Sequence, residues 1–339
     1  MADKEQIKLL NDLADKLKID NSESRSDYTE EQKEWALEKL MKFVQKQMED
    51  PDVIKRVCYY HSKDMDGFFS GAVVKYKYPD IELRGWDYRD PIPSYNGIKE
   101  FDEVIMIDVT FPLNTILEYI KEGAKFTIID HHVSFKKQTE AYDELPFEYI
   151  YDNKLAACEL GFQHYFNRIP PIVELVGDYD TWRSNKDLVW ERAILPIQYF
   201  MKSQVSKPED VQQSWFEPEN DYTNSTIDFM VEDGRVIQKY EKVINKTKTE
   251  TYGFTVKIGK YNALCLNTGL FSSDIVESSF DPILHDIMVG FVFDGKKWSV
   301  SLRSIEGGAD VSEIARERGG GGHKHAARFE VENFEDIWK

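Results

Sequence analysis

Carboxylates and imidazoles crowd into four short segments of the chain: His61-Ser62-Lys63-Asp64-Met65-Asp66-Gly67, Asp108, Asp130-His131-His132 and Asp178-Tyr179-Asp180. Together they offer enough oxygen and nitrogen donors for two divalent cations side by side, an arrangement that makes phosphate-ester hydrolysis easy at neutral pH. Asp64 and Asp66 alternate across Met65 and can therefore face two different ions, while a lone Asp108 is suited to bridging both. In Asp130-His131-His132 one side chain can ligate and the acid can orient its neighbours by hydrogen bonding. Oxygen and imidazole donors without thiolate suit hard dications. The expected cofactors are two divalent ions, Mn²⁺ in the first place, with Mg²⁺ or Co²⁺ as substitutes. His132, beside this set, is a candidate for substrate contact or for protonating a leaving group.

Such residues need elements to hold them. Val57–Tyr60, Val104–Ile107 and Phe126–Ile129 are fully apolar runs of the kind that form buried parallel strands, and Leu83–Trp86 is a weaker one. Helical periods fill Phe68–Tyr78, Leu113–Glu122 and Leu155–Tyr165. The alternation predicts an α/β fold with a doubly wound, mainly parallel sheet. His61, Asp108 and Asp130 each follow directly after a run, at the carboxyl edge where open parallel sheets bind ligands. Gly67 closes the first ligand loop and allows a tight entry into the following helix.

Towards the C-terminus the pattern changes. Runs 254–258 and 263–267 flank Gly259-Lys260-Tyr261-Asn262, and runs 287–293 and 298–303 flank Asp294-Gly295, so two hairpins are predicted. A helix over 311–318, capped by Asp310, leads into Gly319-Gly320-Gly321-Gly322-His323, and a last strand lies around 328–331. This is a smaller α+β domain. Bare N–H groups of Gly320, Gly321 and Gly322 can approach an anion closely, His323 adds a donor, and Arg303 adds a forked cation. These five form the candidate substrate-binding set. Arg316, Arg318, Lys324 and Arg328 cluster nearby in the sequence.

Of the 339 residues, 41% are apolar and 13% aromatic, as in globular proteins. Lys and Arg number 43 against 61 Asp and Glu, a net charge of −18. Such an acidic balance opposes coating of long DNA or RNA, which depends on phosphate neutralisation, yet permits short nucleotides held by local cations. Three scattered cysteines, Cys58, Cys158 and Cys265, form no CxxC pair. The N-terminus lacks an apolar leader core, and no window approaches the roughly 18 apolar residues of a membrane span. A cytoplasmic setting is expected, with no membrane partner; a homodimer is compatible. The expected domains are an N-terminal helical extension (1–52), a catalytic α/β domain (53–190), a helical connector (191–250) with a long helix through 229–243, and a substrate-binding domain (251–339).

The Asp130-His131-His132 motif, with the segments around it, resembles the DHH phosphoesterase superfamily. The Gly319–His323 run followed by Ala326-Ala327 resembles the companion DHHA1 domain. The Asp-Gly of the first segment, Trp86-Asp87-Tyr88 with Pro91-Ile92-Pro93, and Asp180-Thr181-Trp182 look most like the short-oligonucleotide nucleases, the nanoRNases. The resemblance implies a binuclear centre: His61, Asp64 and Asp108 on one ion; Asp66, Asp108, His131 and a fourth-motif carboxylate, Asp180 or Asp178, on the other. It implies a two-metal phosphodiesterase acting on short oligonucleotides as an exonuclease, with a metal-bridging hydroxide as nucleophile and Asp108, Asp130 and His132 in catalytic roles. Alternatives within the resemblance are a cyclic-dinucleotide or 3′-phosphoadenosine-5′-phosphate hydrolase, and, against the acidic balance, a RecJ-like single-strand exonuclease. Where the family usually has glycine after the paired alanines, this chain has Arg328. Trp86, Tyr88 and Trp182 could stack a base, core packing being the commoner use of such residues.

Overall fold

The computed structural model describes residues 54–183, 188–218, 221–269, 271, 273–276 and 279–339. The expected N-terminal helices lie outside the described residues. Residues 56–339 form one compact unit.

The first sheet has five parallel strands: β1 (Arg56–His61), β2 (Glu82–Trp86), β3 (Glu103–Ile107), β4 (Phe126–Asp130) and β5 (Glu148–Tyr151), in the order β2-β1-β3-β4-β5. Period-two alternation divides the side chains. Val57 and Tyr59 pack on one face with Phe111, Ile116 and Phe135, beneath the helices over 113–121 and 133–139; Cys58 and Tyr60 pack on the other with Val74 and Leu160. The helices are α1 (Met65–Lys77), α2 (Leu113–Lys121), α3 (Val133–Thr139), α4 (Ala157–Phe166) and α5 (Pro171–Thr181). With α2 and α3 on one face and α1 and α4 on the other, the doubly wound expectation is borne out. Strand order reverses at β1, where the chain passes out to β2 and returns to β3. The crevice beyond the carboxyl ends of β1 and β3 is thus the topological switch point.

Two further helices, α6 (Leu195–Gln204) and α7 (Asp221–Tyr252), extend this lobe. The helix expected over 229–243 runs further at both ends. A Cβ at Gly234 would lie 1.9 Å from the Pro196 carbonyl oxygen, so glycine is what lets α7 pack directly on the backbone of α6.

The second sheet contains β6 (Phe254–Ile258), β7 (Tyr261–Asn267), β8 (Ile287–Phe293), β9 (Trp298–Arg303), β10 (Gly321–His323) and β11 (Ala326–Val331), in the order β10-β11-β9-β8-β7-β6. Both predicted hairpins are present, and only β7 and β8 pair in parallel. Helix α8 (Val311–Glu317), capped by Asp310 through a 3.0 Å bond from the Ser312 amide, covers one face. Val311, Ile314 and Ala315 pack there on Val289, Val300, Leu302, Ala327 and Phe329. Part of the glycine run is an edge strand, β10. A Cβ at Gly320 would meet the Arg328 carbonyl at 2.1 Å and one at Gly322 the Ala326 carbonyl at 2.5 Å, so close approach to β11 demands glycine at both. At Gly321 nothing lies within 4 Å.

No helix among the described residues is long and apolar enough to cross a membrane. All three cysteines are buried and unpaired.

Candidate metal and active site

Asp108 is the hub. It follows β3 directly, is 2% exposed, and adopts φ 61°, a left-handed conformation uncommon outside glycine although Asp tolerates it. That turn directs its carboxylate into the crevice between β1 and β4. One oxygen, Oδ1, lies 3.3 Å from His131 Nε2; the other, Oδ2, lies 3.5 Å from His61 Nδ1 and has no hydrogen-bond partner although buried.

The first segment arranges its ligands through the start of α1. His61, the last residue of β1, has Nδ1 2.8 Å from Asp64 Oδ2. Asp64 is the N-cap of α1, and its Oδ1 accepts from the Gly67 amide at 2.9 Å. A Cβ at Gly67 would stand 1.9 Å from the His61 carbonyl oxygen, so only glycine lets the helix begin so close under the strand end. Asp66, 2% exposed, is anchored from another element: Oδ2 accepts from the Ala157 amide at 2.9 Å and Oδ1 from the Cys158 amide at 2.8 Å. These are the first N–H groups of α4, which have no partner inside the helix and favour an anion.

Beyond β4, the fully buried Asp130 accepts on Oδ1 from the amides of His131 and His132 and lies 2.7 Å from His132 Nδ1. It orients the His132 imidazole and fixes the backbone of both histidines. His131 Nε2 lies 3.8 Å from Asp66, 3.3 Å from Asp108 and 3.6 Å from Asp180. Asp180 comes from α5. Asp178, kept as an alternative on sequence, is turned instead to Arg183, whose Nε donates to Asp178 Oδ1 at 2.8 Å. The reason is helical: two positions apart on α5, the carboxylates point to different sides. Arg183 also grips Glu159 of α4 with both terminal nitrogens, at 2.9 and 2.7 Å.

Three donor sets result, each with ligand atoms within 4.8 Å of one another: His61, Asp64 and Asp108; Asp66, His131 and Asp180; Asp108, His131 and His132. Burial and the Asp108 charge push Asp66 up to about 7, and burial and Asp66 push Asp180 up to about 7. Burial opposes charge on His61 and His131, but Asp108 and its neighbouring carboxylates prevail and raise both to about 10. Acids that repel one another, imidazoles drawn towards the cationic form and an orphaned buried Asp108 oxygen describe a pocket built for positive charge. The residues present fit two hard divalent ions.

Sequence reasoning missed the amides of Ala157 and Cys158, for which side-chain identity carries no signal. It also missed Arg183, readable only as a cation close after two acids. In the second sheet, register places His323, Ala326 and Arg303 in one row across β10, β11 and β9. Gly321 and Arg328 stand opposite each other two residues along. Arg316 and Arg318 are engaged locally, bonding the Ser312 carbonyl and the Ile337 carbonyl. Of the aromatic candidates, Trp86 is buried in the first core, Tyr88 is half-exposed with its ring 6.3 Å from His61, and Trp182 is 61% exposed and stacked on buried Trp190.

Residues 275–339 match the model of the DHHA1 domain. The chain is 25% identical over 309 residues to oligoribonuclease NrnB of Bacillus subtilis (strain 168), covering 79% of this chain and 71% of that protein. Among solved structures it resembles the DHH domain of a member of the s1p family of ribosomal proteins, with 13% identity, a TM-score of 0.52, and coverage of 98% of this chain and 96% of that one. It also resembles a pGpG-specific phosphodiesterase, PggH, from Vibrio cholerae, with 14% identity, a TM-score of 0.47, and coverage of 84% and 95%.

Proposed function

We propose that this chain, a phosphoesterase of the DHH and DHHA1 superfamily, hydrolyses the phosphodiester bonds of short oligonucleotides, releasing one nucleotide at a time. The convergence of His61, Asp64, Asp66, His131 and Asp180 on Asp108 carries this reading. His61, Asp64 and Asp108 would hold one divalent ion, and Asp66, Asp108, His131 and Asp180 the other, with Mn²⁺ suited to the mixed oxygen and imidazole set. Such a pair supplies an activated water and neutralises charge on the non-bridging phosphate oxygens.

The chain's own residues do the rest. Asp130, by accepting from His132 Nδ1, fixes the ring and, against the cost of burial, favours its cationic form, whose Nε2–H is left to donate to a phosphate oxygen or to the departing alkoxide. In the second sheet Ala326 pairs with both His323 and Arg303, and this row, with only a methyl group between the two, would seat a terminal phosphate. Gly321, open above its Cα, and Arg328 on the same face extend that seat. Ala327, pointing the other way, belongs to the core. Trp182, held in place by Trp190, offers a flat outer face for a base two residues after Asp180. On this reading residues 53–190 carry the chemistry, 251–339 hold the substrate, and 191–250 join them. A net charge of −18 admits a short substrate gripped locally and disfavours a long strand.

The test is a Mn²⁺-dependent panel comparing RNA of a few nucleotides, a long single strand, cyclic dinucleotides, 3′-phosphoadenosine-5′-phosphate and pyrophosphate. Preference for the short RNA is expected; preference for any other member rejects the substrate assignment while leaving the phosphoesterase intact.

A further inference from the structure

The two ion positions are assembled by different means. His61 and Asp64 lie in one short stretch of chain, and Asp108 follows β3, the strand paired with β1. Chain continuity and sheet register therefore bring the first set together. The second set draws Asp66 from α1, His131 from beyond β4 and Asp180 from the last turn of α5. Helix α5 lies outside the sheet, so another contact must bring Asp180 to Asp66 against the repulsion of like charges.

The first turn of α4 is the joint. Its Ala157 and Cys158 amides hold Asp66. Its Glu159, 1% exposed, accepts from the Ala156 amide at 2.8 Å and receives the fork of Arg183, Nη1 to Oε2 at 2.9 Å and Nη2 to Oε1 at 2.7 Å. Arg183 follows directly on the C-cap of α5, Trp182. Its Nε reaches back to Asp178 of α5, and Nη1 also donates to the Lys154 carbonyl at 2.7 Å. Gly177 shapes the other side of the contact. A Cβ there would stand 2.2 Å from Glu159 Oε2, so α5 lies directly on that carboxylate. A chain of contacts thus leads from Asp66 through the α4 amides, Glu159 and Arg183 to the turn of α5 that carries Asp180. These bonds commit the guanidinium to joining elements rather than to gripping a phosphate.

We propose that Arg183 is a positioning residue: by clamping the end of α5 to the start of α4 it sets the separation of Asp66 and Asp180. It would thereby govern the ion held by Asp66, His131 and Asp180 and leave the ion of His61, Asp64 and Asp108 alone. This inference rests on the two-ion reading above. A forked, bidentate grip on Glu159 needs a guanidinium, because an ammonium is a point charge without the paired donors. Removing the cation also leaves Glu159 buried without its partner, so the start of α4 loses its fixed place against α5.

Calorimetric titration of the full-length chain with Mn²⁺, followed by electron paramagnetic resonance of the loaded protein, separates the two positions. Two Mn²⁺ ions bridged by one carboxylate are spin-coupled, whereas a single ion shows its own hyperfine pattern. The unaltered chain should take up two ions and give the coupled spectrum. Arg183→Ala should weaken one ion about 10- to 100-fold, the scale for losing an outer orienting contact. It should keep the other at full affinity and give the spectrum of an isolated ion. Arg183→Lys, which keeps the charge without the fork, should do the same. Gly177→Ala, which alters neither a ligand nor Arg183, should reproduce the selective loss by displacing Glu159, and it decides the matter if the Arg183 variants fail to fold. Two ions of unaltered affinity in these variants overturn the proposal. So does equal weakening of both ions, the mark of a merely structural role. An unaltered chain that takes up a single Mn²⁺ rejects the two-ion reading itself, and the proposal with it.

Discussion

Asp108 takes a left-handed backbone conformation and buries an oxygen without a hydrogen bond, two local costs that a bound cation would offset. Asp108→Asn should lower Mn²⁺-dependent hydrolysis by about 10²-fold or more, the scale of losing one electrostatic contact to the reacting group, with metal content measured by elemental analysis falling alongside and circular dichroism unchanged. The two fourth-motif acids should separate. Asp180→Asn should lose bound metal and activity, whereas Asp178→Asn, breaking the pair with Arg183, should cost about 1 kcal/mol of stability and keep the metals. The reverse outcome would reverse the assignment. Titration gives a third expectation. Asp66 and Asp180, raised to about 7, contribute stability that is present at low pH and lost as pH climbs through 7. His61 and His131, raised to about 10, contribute stability present below the ordinary imidazole value and lost towards 10. All four act in one direction between pH 6 and 8. The melting temperature of the metal-free protein should therefore fall across that window, and Mg²⁺ should raise it more at pH 8 than at pH 6. A metal-free melting temperature that rises instead would contradict the charged pocket.

Strand ends and helix starts convert these residues into a site. The amino end of α4 holds Asp66 through two backbone amides, an arrangement open to a direct test. Ala156 already has the extended backbone that precedes proline, and Ala157 is the first residue of α4, where proline is tolerated. Ala157→Pro should leave helical content intact while removing one donor to Asp66, weakening metal binding about 10- to 100-fold in calorimetric titration, as loss of an orienting contact does. Unchanged affinity would mean that the amide does not position the ligand. In the second sheet, Ala326→Leu should put a larger side chain between Arg303 and His323, raising KM for short RNA with little change in kcat; an effect on kcat alone would move the substrate seat elsewhere. Strands β1, β3 and β4 are legible because each is a largely apolar run stopped by an acid or imidazole. Strand β5 is not, since its half-buried Glu148-Tyr149-Ile150-Tyr151 sits at the sheet edge and lacks that contrast. Nor is β10, because glycine is disfavoured in strands and only the close approach of β11 makes the run extended.

At the scale of the molecule, a five-stranded parallel sheet brings its acids to one rim, and a six-stranded mixed sheet sets Arg303, Arg328 and His323 close to a glycine edge strand. Chelation should abolish hydrolysis, and readdition of Mn²⁺ should restore it; activity that survives exhaustive chelation would reject the metal-assisted reading. The order and type of the chemical groups were determined by sequence alone: hard donors following apolar runs, a glycine run before paired alanines, and alternation that admits a doubly wound sheet. Tertiary structure alone decided which of Asp178 and Asp180 faces His131, that α4 amides rather than a side chain secure Asp66, and that Trp86 is core while Trp182 is exposed. The reason is physical. Spacing along a chain specifies which face of its own element a side chain occupies, but the neighbour awaiting it there is set by packing between elements distant in sequence.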